Sequence, residues 1–143
     1  MNPISKPDAP QSLTGARLRK HADFQRAYAA ARKRQSTSMS WFLAPQQVDA
    51  PAHAPSGPRV GLTVPKALGK AHDRNRIKRR MREVLRRHVG LLPQGFDIIL
   101  HPRRSVLTLQ FAQLEAEAVR VLEQARREAN RIATSPAPTD IAS

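Results

Sequence analysis

The chain has 143 residues, 40% of them apolar, and carries 25 Lys and Arg against 11 Asp and Glu, a formal net charge of +14. That length suits one domain with a modest core, for which only four Phe, one Tyr and one Trp are available, and the charge favours nucleic acid as a partner. The lack of cysteine excludes disulfide scaffolds, thiolate metal sites and thiol nucleophiles, and no apolar run approaches the roughly 20 residues that span a bilayer.

The N-terminus has no apolar signal segment, so a soluble, cytoplasmic protein without membrane contact is expected. Residues 1–16 hold Pro3, Pro7 and Pro10 among small and polar residues with no hydrophobic period, which predicts a disordered tail. Next, Phe24, Ala27, Tyr28 and Ala31 recur at i, i+3, i+4 and i+7 and predict a helix over 22–32. Spacing alone favours Phe24 and Tyr28 as ordinary core residues. The flanking Arg17, Arg19, Lys20, Arg26, Arg32, Lys33 and Arg34 argue instead for a surface where bases stack on rings and cations neutralise phosphates.

A strand is predicted over 39–44, with Met39, Trp41 and Leu43 on one face and Ser40 and Phe42 on the other. Residues 45–58 contain four prolines and read as a loop. A second strand over 59–65 points Val60, Leu62 and Val64 one way and is expected to end at Pro65, which has no N–H for the ladder. Lys66, Gly69 and Lys70 then lead into a helix for which Asp73 is the expected N-cap.

That helix, 74–88, is the most distinctive stretch of the chain. Eight of the fourteen residues in 74–87 are basic, and Glu83 is the one acid. At about 100° per residue, Ile77, Met81, Val84, Leu85 and His88 form an apolar stripe, while Asn75, Lys78, Arg79, Arg82 and Arg86 gather on the opposite side. A merely solvated face mixes both signs, yet Lys78, Arg82 and Arg86 repeat one sign at i, i+4, a repulsion that a bound polyanion relieves.

Pro93, Gln94 and Gly95 make a turn, and 96–100 (FDIIL) reads as a buried strand. The last predicted helix, 109–132, carries four acids (Glu115, Glu117, Glu123, Glu128) and four bases (Arg120, Arg126, Arg127, Arg131) around an apolar stripe. It is the internal control: where only packing is needed, this chain makes a charge-balanced helix. Residues 133–143 predict a second loose tail, leaving 17–132 as the domain.

Hydrolysis of a phosphodiester needs clustered carboxylates with metal ions, or a His, Lys or Tyr set placed for acid and base work. The acids here are scattered, and His21, His53, His72, His88 and His101 have no metal-ligand spacing. The residues therefore read as binding equipment with no catalytic residue and no metal site.

The run RVGLTVPKALGKAHDRNRIKRR (residues 59–80) resembles the signature region of the bacterial ribonuclease P protein subunit, and LRKHADFQRAY (18–28) and FDIIL resemble that family's first helix and last strand. The resemblance implies an α+β sandwich in the order helix-strand-strand-strand-helix-strand-helix, with a left-handed βαβ crossover like the second domain of ribosomal protein S5. It implies a protein subunit of a ribonucleoprotein endoribonuclease in which a catalytic RNA, with Mg²⁺ at its own active site, removes the 5′ leader of precursor tRNA. Its implied partners are that RNA and precursor tRNA, with no obligate protein partner. Carried over by motif position, Phe24, Tyr28 and Phe42 line a leader-binding cleft flanked by Lys66, Arg74, Asn75, Lys78 and Arg82. Arg76, Arg79, Arg80 and Arg86 contact the RNA subunit.

Three residues depart from the family pattern. Pro65 replaces a serine, Ala67 replaces a second lysine and removes one expected phosphate contact, and Ala31 stands where a glycine turn is common. Rival readings are a ribosomal-type RNA-binding protein, which needs no aromatic cleft, and a nuclease acting alone, which needs the carboxylates this chain lacks. A DNA-binding helix-turn-helix is the third, and strand sequence stands where its first helix belongs.

Overall fold

In the computed structural model, which describes residues 17–18, 21–46 and 58–134, the chain runs α1 (His21–Ala30), β1 (Arg34–Gln35), β2 (Met39–Pro45), β3 (Arg59–Leu62), α2 (Ala71–Arg87), β4 (Phe96–Pro102) and α3 (Phe111–Thr134). Single 3-10 turns lie at Lys66–Leu68, Val89–Leu91 and Arg104–Leu107. This is the expected element order in a mixed α+β fold. The predicted N-terminal tail, the predicted C-terminal tail beyond Thr134, most of the proline-rich loop, and Arg19 and Lys20 lie outside the described residues, while residues 133–134, read as the start of the second tail, continue the last helix.

The strands form one sheet in the order β1-β2-β4-β3. β2 runs antiparallel to β4, pairing Trp41 with Leu100 and Phe42 with Ile99. β3 runs parallel to β4, pairing Val60 with Ile98 and Leu62 with Leu100, and α2 makes the crossover that a parallel pair requires.

Strand alternation then decides which helix covers which face. Met39, Trp41, Leu43, Val60, Ile98 and Leu100 point to the side covered by α2 and α3, where they pack with Ile77, Met81, Val84, Leu85, Leu114, Val121 and Leu122. The apolar stripe of the basic helix is thus buried as its spacing predicts, each such side chain contributing about 1.5–3 kcal/mol. Ala44 and Ile99 point to the other side, where Leu18 and Ala27 close a smaller cluster with Phe24, Tyr28, Ala31 and Phe42 at its rim. The sheet is a partition: a full core behind it and, among the described residues, α1 as the one helix in front.

Several boundaries differ from the sequence reading, β4 among them, which runs on through His101 to Pro102. α2 starts at Ala71 after Lys70, which makes no side-chain cap, so Asp73 is not the N-cap but a first-turn residue. Its charge still favours the positive helix end, and its carboxylate lies 3.6 Å from the Arg104 guanidinium. Gly69 makes this start possible: it holds φ 141°, and a Cβ there would meet the Arg104 guanidinium at 2.4 Å. β3 ends at Leu62 before reaching Pro65, which instead precedes the 3-10 turn Lys66–Leu68. Thr63 still donates to the Leu100 carbonyl at 3.0 Å. α1 ends at Ala30, because the chain must turn into β1, and α3 runs from Phe111 to Thr134.

β1, only two residues long, has no period to read, and long-range polar contacts hold its hairpin. The buried Glu117 carboxylate on α3 accepts from Ser36 Oγ at 2.5 Å and from the Ser38 N–H at 2.6 Å. From the end of β4, the Arg103 guanidinium donates to the carbonyls of Ser36 at 2.6 Å and Thr37 at 3.0 Å.

Candidate nucleic-acid interface

What fixes α1 on the open face of the sheet is a charge network. Asp97 on β4 is 1% exposed and accepts from Arg59 Nε at 2.8 Å and Nη2 at 3.0 Å. A carboxylate at that depth is tolerable only when paired and hydrogen-bonded. Arg59 also reaches Asp23 of α1 at 3.3 Å, and Arg26 of α1 stands 2.8 Å from Asp23 and 3.5 Å from Asp97. The hydrogen bond to Asp97 raises the Arg59 pKa above its ordinary value. Two arginines and two aspartates therefore lock the rotation of α1, and with it the direction of Phe24 and Tyr28.

Phe24 lies across β3 at Gly61, where a Cβ would come within 2.7 Å of its ring. Only glycine lets the ring settle there. Tyr28, one turn on, stands 6.3 Å from Phe24 between ring centroids and 4.9 Å from Phe42, edge to face. His101 completes the group, 5.6 Å from Tyr28 and 5.3 Å from Phe42. The Tyr28 hydroxyl lies 2.9 Å from His101 Nε2 and 3.2 Å from Thr63 Oγ1. All four residues are half-buried, so they close the small front core and remain in part open to solvent. Burial, and then the nearby Lys33 charge, push the His101 pKa below the ordinary imidazole value.

The cationic helix borders the outer edge of β3. Lys78 and Arg82 line a cleft of about 170 Å³ together with Arg17, Leu18, Val60, Leu62 and Leu85. Leu18 donates its N–H to the Val60 carbonyl at 2.8 Å, so residues 17–18 add to that edge. Leu18 also belongs to the cluster under α1. The cationic cleft and the aromatic surface thus share a wall.

The predicted site residues divide by what their side chains already hold. Lys66, Asn75, Arg76, Arg79 and Arg82 are exposed and Lys78 half-buried; none has an ion-pair or side-chain hydrogen-bond partner among the described residues. Arg74 donates to the Gly69 carbonyl at 3.2 Å. Arg86 is paired with Glu83 at 2.6 Å, and Arg87 reaches the same carboxylate at 3.1 Å, which lowers the Glu83 pKa. Arg80 stands apart. It donates to the carbonyls of Leu107, at 2.9 Å, and Leu109, and burial and then Arg76 lower its pKa. Its guanidinium ties α2 to the segment leading into α3. His88, placed on the apolar stripe by spacing, is half-buried with Nε2 2.8 Å from Glu115.

Thr63 and His101 were not singled out as site residues by the sequence, whereas Arg17 stood among the cations expected to flank a single-strand surface and does line the cleft. For His101 a signal existed: extending the alternation of FDIIL by one residue puts it on the same face as Ile99. Among the described residues, no three His, Asp or Glu side chains group to hold a metal ion, and no helix is long and apolar enough to cross a membrane.

A basic rail beside an aromatic sheet face suits several RNA-binding proteins, and comparison with known families separates them. The family model for ribonuclease P matches residues 14–126. The chain belongs to the ribonuclease P protein family. It is 35% identical over 103 residues to the ribonuclease P protein component of Thermobifida fusca, covering 71% of this chain and 69% of that one. With the component from Chloroflexus aggregans it is 36% identical over 110 residues, 76% of each chain. The fold agrees. The solved structure of the Staphylococcus aureus RNase P protein matches 78% of this chain and 95% of its own, with a TM-score of 0.64 at 28% identity. The Thermotoga maritima RNase P protein gives 76%, 96% and 0.63, again at 28% identity. As a ribonuclease P protein component the chain is part of a tRNA-processing ribonuclease complex with ribonuclease P RNA as its partner.

Proposed function

We propose that this chain binds the single-stranded 5′ leader of precursor tRNA and supports the fold of the catalytic RNA, which performs the hydrolysis. The observation that carries this reading is a cluster of half-buried rings at Phe24, Tyr28 and Phe42, next to a cleft lined by Lys78 and Arg82, which have no acidic partner among the described residues. Rings stack on any base, contributing about 1–3 kcal/mol each, which suits a strand whose sequence varies among tRNAs. Lys66, Arg74, Asn75, Lys78 and Arg82 supply contacts to leader phosphates, an attraction that falls steeply with salt. Arg76 and Arg79, turned to solvent on α2, contact the RNA subunit. Arg86 and Arg80 take part there less freely, since both guanidinium groups already hold protein oxygens.

In this reading Mg²⁺ belongs to the RNA, where it supplies the charge stabilisation that phosphodiester hydrolysis needs. The protein's residues orient the leader and neutralise phosphate repulsion between the two RNAs. Cleavage of a 5′-extended precursor tRNA at low Mg²⁺ tests this, using protein alone, a bacterial ribonuclease P RNA alone, and both. Only the mixture is expected to cut efficiently at the mature 5′ end. Binding without stimulation would leave a general RNA-binding protein, and cleavage by the protein alone would mean an active site in this chain.

A further inference from the structure

The leader-binding reading leaves His101 without a task, although it is the one titratable imidazole among the cleft rings. It stands at the far end of β4, opposite Ser40 of β2, with its ring edge-on to Tyr28 and tilted against Phe42. Nε2 faces the Tyr28 hydroxyl at 2.9 Å, and Nδ1 has no hydrogen-bond partner among the described residues. We infer that His101 is a proton-coupled RNA-binding residue of this cleft, its imidazole taking up a proton as the phosphates of a single strand enter. The inference rests on the leader-binding reading above and adds to it a residue and a pH response.

Three features of the site support it. First, the polar chain tolerates the extra proton. The Tyr28 hydroxyl lies within reach of both His101 Nε2 and Thr63 Oγ1, so a charged imidazole donates to Tyr28 while Tyr28 donates to Thr63. Second, the RNA-free cleft disfavours the charge. Burial comes first and Lys33 second among the causes that lower the His101 pKa. Among the described residues His101 meets Tyr28 of α1 and Phe42 and the cross-strand Ser40 of β2, Tyr28 in turn meets Thr63, and Lys33 after α1 is the charged group that acts on the imidazole. Third, a phosphate strand reverses the Lys33 effect. It neutralises that cation and offers the imidazolium an anion within the cleft, so the bound imidazole holds its proton to higher pH than the free one.

The sign follows from linkage. Where the complex holds a proton that the free protein does not, binding tightens as pH falls, by at most about tenfold per pH unit for one group. Folding responds the other way. A lowered folded pKa means that stability present above the unfolded imidazole value is lost as pH falls below it. Acid therefore loosens the free protein at this residue and tightens its complex.

The test uses the full chain and an oligouridylate of about ten nucleotides, a length within the usual single-strand site range and a base that does not itself titrate near neutrality. Affinity is measured from about pH 8 to about pH 5.5, the range in which an imidazole changes charge. Calorimetry in buffers of different ionisation heat counts the protons taken up. The expected result is tightening of about three- to tenfold over that range with proton uptake, and a His101 ring NMR signal that titrates at higher pH when RNA is present. His101→Gln and His101→Phe should both bind with little pH dependence, the second keeping the ring packing should the first fold poorly. An equal pH slope in wild type and both variants, or a His101 signal whose titration RNA leaves unmoved, would overturn the inference while sparing the leader site. Oligouridylate binding that survives Phe24→Ala unchanged would overturn the leader site, and the inference with it.

Discussion

Replacing Phe24 and Tyr28 together by alanine is expected to weaken binding of 5′-extended precursor tRNA by roughly thirtyfold or more, while binding of mature tRNA changes little. Each ring that stacks on a base contributes about 1–3 kcal/mol, and about 1.4 kcal/mol is a factor of ten in affinity. The two rings sit 6.3 Å apart on the open face of the sheet, held there by the Asp23, Arg26, Arg59 and Asp97 network. Because they also rim the small front core with Ala27 and Ile99, folding has to be followed alongside by thermal unfolding. Leucine at both positions separates the roles: it restores apolar bulk but has no π face. Tight binding by the leucine pair would assign the rings to packing, and equal losses on both tRNAs would remove the leader from the cleft.

Charge reversal at Lys78 and Arg82 is the second large effect. Charge-assisted hydrogen bonds are worth about 1.5–3 kcal/mol, so each lost contact should weaken leader binding roughly tenfold or more. The salt slope is the sharper reading, because a single-strand phosphate contact contributes about 0.7 to it; losing two should flatten the slope by about 1.4. Arg80 is the control on the same helix. Its guanidinium is spent on the Leu107 and Leu109 carbonyls, so Arg80→Ala should lower stability with the salt slope unchanged. An unchanged slope in the Lys78 and Arg82 variant would mean that the rail does not touch the strand.

The contrast between Arg80 and Lys78 also shows where sequence reading stops. The apolar stripe Ile77, Met81, Val84 and Leu85 was legible because burial follows helical period, and all four are buried. Strand alternation placed Trp41 behind the sheet and Phe42 in front for the same reason. Which arginine is free and which is a strut depends on carbonyls about 30 residues away in the chain, and no local pattern encodes that. The Asp73 cap failed for a related reason. Lys70 and Gly69 start the helix earlier, through a backbone conformation that only glycine adopts readily. The aromatic cleft needed both routes. Spacing favoured a core role for Phe24 and Tyr28, family resemblance favoured RNA, and the half-buried rings leave room for each. Alternation along β4 carries His101 to the Ile99 face, but its meeting with Tyr28 and Thr63 comes through the register of β4 against β2 and β3, which is a property of the folded sheet.

The assembled complex of this chain, ribonuclease P RNA and a precursor tRNA carrying a photoreactive uridine analogue in its leader offers the decisive measurement. Irradiation and mapping of the attached peptides should find the leader on the α1 and β2 segments that carry Phe24, Tyr28 and Phe42, and on the end of β4 at His101. Attachment confined to the charge-balanced outer face of α3, with none on α1 or the sheet, would contradict the leader site.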